Sequence, residues 1–133
     1  MQIFGIGTDI VNIDRIAKII KKNKTKFIGK VFTKNEIFYC NSKKNSTSYY
    51  AKRFAAKEAF VKALGVGFCK GLSFKDVIIY NNQKGKPVIK LSIKSKKIVN
   101  KILKNKDYSI FLSMSDDIPW AVATVIINLN DSK

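Results

Sequence analysis

The nine residues Ile3-Phe4-Gly5-Ile6-Gly7-Thr8-Asp9-Ile10-Val11 limit what can pack around them more than any other stretch of the chain. A period of two predicts a strand, with Phe4, Ile6, Thr8 and Ile10 on one side and Ile3, Gly5, Gly7 and Asp9 on the other. Glycine weakens a strand interior and usually marks a bulge or a close approach by another backbone or a ligand. Two readings are open. Either this is a loosened edge strand with a solvated Asp9, or the bare face lets a helix or a substrate come close to the carboxylate.

A second segment of strong character lies in mid-chain. Arg53-Phe54-Ala55-Ala56-Lys57-Glu58-Ala59-Phe60-Val61-Lys62-Ala63-Leu64-Gly65 is dense in helix formers and ends on glycine, which predicts a helix with a glycine stop. Phe54, Phe60, Val61 and Leu64 can share one broad apolar face with Ala56. Glu58 and Lys62 are four residues apart and so neighbours on the helix surface. Glu58 is flanked by Arg53, Lys57 and Lys62. An acid among bases suits a site that holds a divalent cation and a polyphosphate together. The plainer reading is a solvated ion pair on a surface helix.

Composition narrows the function classes. The chain has 133 residues, one domain's worth (1–133), with 26 basic residues against 9 acidic ones and a formal charge of +17. Such a charge calls for a polyanionic partner, although the wealth of Lys, Asn and Ile is also what an AT-rich coding sequence produces. Against that background the two arginines, Arg15 and Arg53, suggest forked recognition of phosphate or carboxylate. The absence of histidine excludes a histidine triad and a histidine-bearing zinc site. Cys40 and Cys69 form no metal or redox spacing and are expected as reduced thiols. No apolar run approaches the ~20 residues of a membrane span. No basic leader precedes the first strand, so a cytoplasmic protein is expected.

Asn12 or Asp14 can cap a first helix with Ile13, Ile16, Ala17, Ile19 and Ile20 inside and Arg15, Lys18, Lys21, Lys22 and Lys24 outside. Phe27 to Phe32 reads as a short apolar helical turn, and Thr33-Lys34-Asn35-Glu36 as a capping box opening a helix through Cys40. After a polar loop, the central helix starts at Thr47 or Ser48 and runs to Leu64. Gly65 to Gly71 is a glycine-punctuated loop without the order of a P-loop. Val77–Tyr80 and Pro87–Ile93 form a hairpin around a turn from Asn81 to Lys86. A helix follows, marked by Ile98, Val99, Ile102 and Leu103. Ile110, Leu112 and Met114 form the inner face of a strand that turns through Ser115 to Pro119 into Trp120–Leu129. The order β-α-α-α-β-β-α-β-β predicts an α+β fold, an antiparallel sheet packed by helices.

Gly5-Ile6-Gly7-Thr8-Asp9-Ile10-Val11 together with Arg53-Phe54-Ala55-Ala56-Lys57-Glu58-Ala59 resembles the 4′-phosphopantetheinyl transferases, in their small holo-(acyl-carrier-protein) synthase branch. The likeness runs through the Gly85-Lys86-Pro87 turn to the closing Ala121–Ile127 strand, and it implies that family's fold. It also implies transfer of 4′-phosphopantetheine from coenzyme A to a serine of apo acyl carrier protein, with release of adenosine 3′,5′-bisphosphate, in fatty acid biosynthesis. Asp9 and Glu58 would share Mg²⁺, the hard cation that binds through one or two carboxylates plus substrate phosphates. Glu58 and Lys62 are the expected catalytic residues, and Arg53, Lys62 and Lys86 the expected contacts to coenzyme A, Lys62 foremost and Arg53, Lys57 and Lys86 weaker candidates for the remaining phosphates. The base is Glu58 itself or a metal-bound water that it orients. The resemblance further implies a homotrimer and an acidic acyl carrier protein docked on the first helix at Arg15, Lys18, Lys21 and Lys22. Where many members carry histidine this chain has Ser115-Asp116, and the contact there is open.

The rival from another class is a small basic nucleic-acid-binding domain, in which Tyr49, Tyr50 and Phe54 could stack on bases. It leaves Asp9 and Glu58 without a role on the two most motif-like segments. No nucleic acid is therefore expected as a partner.

Overall fold

In the computed structural model, which describes residues 2–68 and 71–131, a long helix rests on the inner face of a three-stranded antiparallel sheet. In chain order the elements are β1 (Gln2–Asn12), α1 (Ile13–Val31), α2 (Lys34–Asn41), α3 (Ser46–Leu64), a 3-10 turn (Phe74–Asp76), β2 (Val77–Asn81), β3 (Pro87–Leu91), α4 (Ile93–Ile102), β4 (Tyr108–Asp117) and β5 (Trp120–Leu129). The expected α+β order is present. The strands divide into two sheets, β1-β5-β4 and the hairpin β2-β3, all pairs antiparallel. Cys69 lies outside the described residues; Cys40 is a free, buried thiol, and burial pushes it up to about 11.

α3 is the centre of the core. Ala51, Ala55, Ala56, Ala59 and Ala63 are all buried, together with Phe60, Val61 and Leu64. Small residues allow the close approach that the β1 glycines invite from the other side. The helix stops at Gly65, whose φ of 85° gives the left-handed cap that L side chains avoid, and its N–H bonds back to Val61 and Lys62.

Three local expectations are corrected. Phe27 to Phe32 is no separate turn: α1 continues through a kink at Asn23 to Val31. The strand expected to reach Ile93 ends at Leu91, because Ser92 accepts a hydrogen bond from Ser95 N and so caps α4. β4 runs on through Ser115 to Asp117, leaving Ile118 and Pro119 as the turn. At the start of α1, Asn12 is the cap, accepting from the N–H groups of Asp14 and Arg15. The Thr33–Glu36 capping box is present as read.

The bulky side of β1 faces outward. Phe4, Ile6, Thr8 and Ile10 are all exposed. Register sets Ile6 beside Ile126 and Ile126 beside Phe111, an apolar row across the outer face of the sheet. The inner face carries Val125, Ala123 and Ala121 of β5 against α3.

Candidate active site

Asp9 reaches the site because two side chains before it are missing. A Cβ built on Gly5 would fall onto the carbonyl oxygen of Ala63, and one on Gly7 onto that of Ala59. The α3 backbone therefore lies directly against β1, and the helix turn carrying Glu58 and Lys62 is brought beside Asp9. Ile3, expected on the same face, is left exposed where the β1–β5 register shifts between Ile3 and Gly5.

Lys62 Nζ donates to Asp9 Oδ1 at 2.9 Å and to Thr8 O at 3.0 Å. Burial holds the Glu58 carboxyl above its ordinary range, the neighbouring Asp9 charge pushes it further up, and Lys62 partly offsets both. Asp9, Glu58 and Lys62 thus form one electrostatic cluster. It opens to solvent, since the side chains of Lys62 and Asp9 are 52% and 16% exposed. Among the described residues there is no group of three or more His, Cys, Asp or Glu side chains able to enclose a metal. Two carboxylates and an open side suit a cation that takes its remaining ligands from phosphate and water. The ammonium already drawn onto Asp9 marks the spot as attractive to positive charge.

Arg53 and Lys86 belong to a second assembly. Arg53 is 2% exposed, its guanidinium lies 4.4 Å from the Tyr39 ring centroid, and Nη2 donates to Asn81 Oδ1 at 2.6 Å. Asn81 Nδ2 in turn donates to Gly85 O at 2.9 Å, in the turn that exposes Lys86. Lys57 is withdrawn from phosphate altogether. It is fully buried, and its Nζ donates to Glu36 Oε1 at 2.8 Å and to Val31 O and Phe74 O at 2.9 Å. Burial lowers the Lys57 pKa, with Glu36 opposing the shift.

Glu36 and Asn81 escaped the sequence reading as interaction hubs. Glu36 had a visible signal for its cap, but its acceptance of Ile79 N at 2.9 Å from β2 had none. Asp116, at the position where the resembled family often has histidine, pairs with Lys52 at 3.4 Å. Arg15, Lys18, Lys21, Lys22 and Lys24 are exposed along α1. Tyr50 is buried, with its hydroxyl donating to Asn41, and offers no face to a base.

Comparison with known proteins meets this geometry. Residues 5–123 match the family model of the 4′-phosphopantetheinyl transferase superfamily. A holo-(acyl-carrier-protein) synthase of Wolbachia pipientis is 50% identical over 129 residues, 95% of this chain and 98% of that protein. One of Pelagibacter ubique is 46% identical over 127 residues, 96% and 98%. Among solved structures, the holo-(acyl-carrier-protein) synthase of Neisseria meningitidis superposes with a TM-score of 0.86 at 35% identity, over 96% of this chain and 99% of that one. The Helicobacter pylori enzyme in complex with coenzyme A does so at 0.80 and 39%, over 92% and 99%. The chain belongs to the 4′-phosphopantetheinyl transferase superfamily and is an enzyme of that class. Within it, the proteins it resembles end to end are the small holo-(acyl-carrier-protein) synthases.

Proposed function

We propose that the chain transfers the 4′-phosphopantetheine group of coenzyme A to a serine hydroxyl of an apo acyl carrier protein, in a Mg²⁺-dependent reaction that releases adenosine 3′,5′-bisphosphate. The observation that carries this reading is the clustering of Asp9, Glu58 and Lys62 at one open strand–helix contact. Relatives with that name and a structure holding coenzyme A support the substrate pair. Asp9 and Glu58 would hold Mg²⁺, which when bound would neutralise charge on the diphosphate as it is cleaved. Lys62 meets a phosphate oxygen at the mouth of the site. The serine oxygen forms a bond to the phosphorus bearing pantetheine, and the bond from that phosphorus to the nucleotide's bridging oxygen breaks. The serine proton passes to Glu58, directly or through a water that Glu58 orients. Lys86 is the proposed contact to the nucleotide half.

The exposed bases of α1, with Arg15, Lys18, Lys21 and Lys22, are the proposed dock for the acidic carrier protein. The apolar row Ile6–Ile126–Phe111 supports self-association, and we assign the assembly as a homotrimer. Cytoplasmic fatty acid biosynthesis is the proposed setting.

The direct test is the mass of apo acyl carrier protein after incubation with this chain, coenzyme A and Mg²⁺. A gain of one phosphopantetheine group on the carrier serine is expected. An unchanged carrier in the complete mixture overturns the assignment.

A further inference from the structure

We propose that Arg53 is a positioning residue: through Asn81 it holds the β2–β3 turn, with Lys86 on it, in the orientation that meets the nucleotide half of coenzyme A. The inference rests on coenzyme A being the substrate. Its starting point is a guanidinium that binds inward. Arg53 is almost wholly buried, stacked on Tyr39, and bonded through Nη2 to Asn81; its Nε is buried with no partner. Burying a permanent charge for a single strong contact is costly unless that contact fixes something. A planar cation stacked on a ring presents its N–H in a set direction, which a lysine could not do.

Asn81 uses both ends of its amide. Oδ1 accepts from Arg53 and Nδ2 donates to Gly85 O. The turn itself is closed locally by Asn82, whose Oδ1 accepts from Lys84 N and Lys86 N at 3.0 Å, while Asn82 N donates to Lys86 O. Asn82 thus sets the shape of the turn. The Arg53–Asn81–Gly85 chain sets its orientation relative to α3, the helix that bears Glu58 and Lys62. Two halves of one extended substrate must be met by α3 and by Lys86 at a fixed separation; Lys57 and Glu36 tie α3 to β2 at Ile79, and the Arg53–Asn81–Gly85 chain is the side-chain link that reaches the turn itself.

The test uses Asn81→Ala and Asn81→Asp, alone and with Lys86→Ala. Asn81→Asp keeps an acceptor for Arg53 but loses the donor to Gly85. If the contact only neutralised a buried charge, aspartate would restore wild-type behaviour. Positioning predicts instead that both variants raise KM for coenzyme A and Kd for adenosine 3′,5′-bisphosphate about tenfold, the scale of one charge-assisted hydrogen bond, with kcat within about twofold. In the Lys86→Ala background either change should cost nothing further. Rescue by aspartate, or losses that multiply in the double variant, overturns the proposal. If the wild-type protein itself takes up no bisphosphate, the assignment of coenzyme A is what falls. The positioning claim is then decided by amide exchange at Gly85 and Lys86, which must speed up in Asn81→Ala and overturns the link if it does not.

Discussion

The Lys62 ammonium lies 2.9 Å from Asp9 Oδ1 and touches no other carboxylate in the described residues, although Glu58 is one helical turn away. If Asp9 holds Mg²⁺ as proposed, lysine and metal compete for the same oxygen. Lys62→Met should bind Mg²⁺ more tightly in the absence of coenzyme A, by less than about fivefold, because the lysine is half exposed and screened. The same variant should bind coenzyme A more weakly, having lost a phosphate contact. Calorimetric titration of each ligand separately checks both; weaker Mg²⁺ binding in Lys62→Met would refute the competition.

Glu58 gives the pH dependence. Its folded-state pKa is raised above the ordinary 4.5, first by burial and then by Asp9. Stability from such a group is fully present below the unfolded pKa and is lost as pH rises through the folded one. Glu58→Gln should therefore be more stable than wild type at pH 7, with the difference vanishing below about pH 4, while transfer is abolished. On the proposed mechanism transfer needs the ionised carboxylate, and Mg²⁺ bound at Asp9 and Glu58 would oppose the upward shift, so the acid limb of the pH–rate profile should move to lower pH as Mg²⁺ is raised from limiting to saturating. Melting temperatures across pH, beside the rate profile, test the two halves separately. Asp9→Asn should likewise lose transfer and leave the fold intact.

The glycine face was legible because absence of side chains is itself a pattern. Gly5 and Gly7 announced a close approach, and α3 is what approaches. Gly7→Ala must drive a Cβ into backbone at Ala59, which cannot swing away as a side chain would. A loss of at least about 3 kcal/mol is expected by urea unfolding, with a larger loss of activity as Asp9 moves from Glu58. A wild-type midpoint for this variant would show that the contact yields.

What the sequence hid was direction. Lys57 and Arg53 read as bases flanking Glu58, yet α3 is enclosed on nearly every side: Lys57 points into protein, and Arg53, at the wall of a cavity of about 900 Å³ that Tyr39 and Asn81 also line, is bonded to Asn81. Their partners, Glu36 and Asn81, lie 21 and 28 residues away, a separation that no helical period reveals. Lys62, on the same helix, stayed exposed at the surface, one turn from Glu58 as their spacing implied.

The Lys57–Glu36 pair ties the end of α1, the start of α2, the 3-10 turn and β2 to α3. Removing the lysine alone leaves a buried carboxylate without its counter-charge. Lys57→Met should cost about 3–5 kcal/mol, the range for breaking buried pairs. Adding Glu36→Met loses the Thr33 cap and the Ile79 contact but no longer buries a lone charge, so the double variant should be less unstable than the sum of the singles. Chemical unfolding of all four proteins gives the coupling; strict additivity would mean that the two groups act independently.

The outer face of the sheet makes the final prediction. Ile6 and Ile10 are 59% and 61% exposed on an edge strand, and Phe111 continues the apolar surface from β4. None of the three contributes to the core against α3, so a charge there should leave the protomer folded while opposing association. Ile6→Glu should give a monomer by sedimentation, with far-ultraviolet circular dichroism unchanged. If the proposed site needs a neighbouring protomer, transfer should fall with assembly and recover as protein concentration is raised. If the wild type is trimeric as proposed, a variant that assembles equally well would mean that the contact between copies lies elsewhere on the surface. A monomer with full activity would mean that Asp9, Glu58 and Lys62 suffice within one chain.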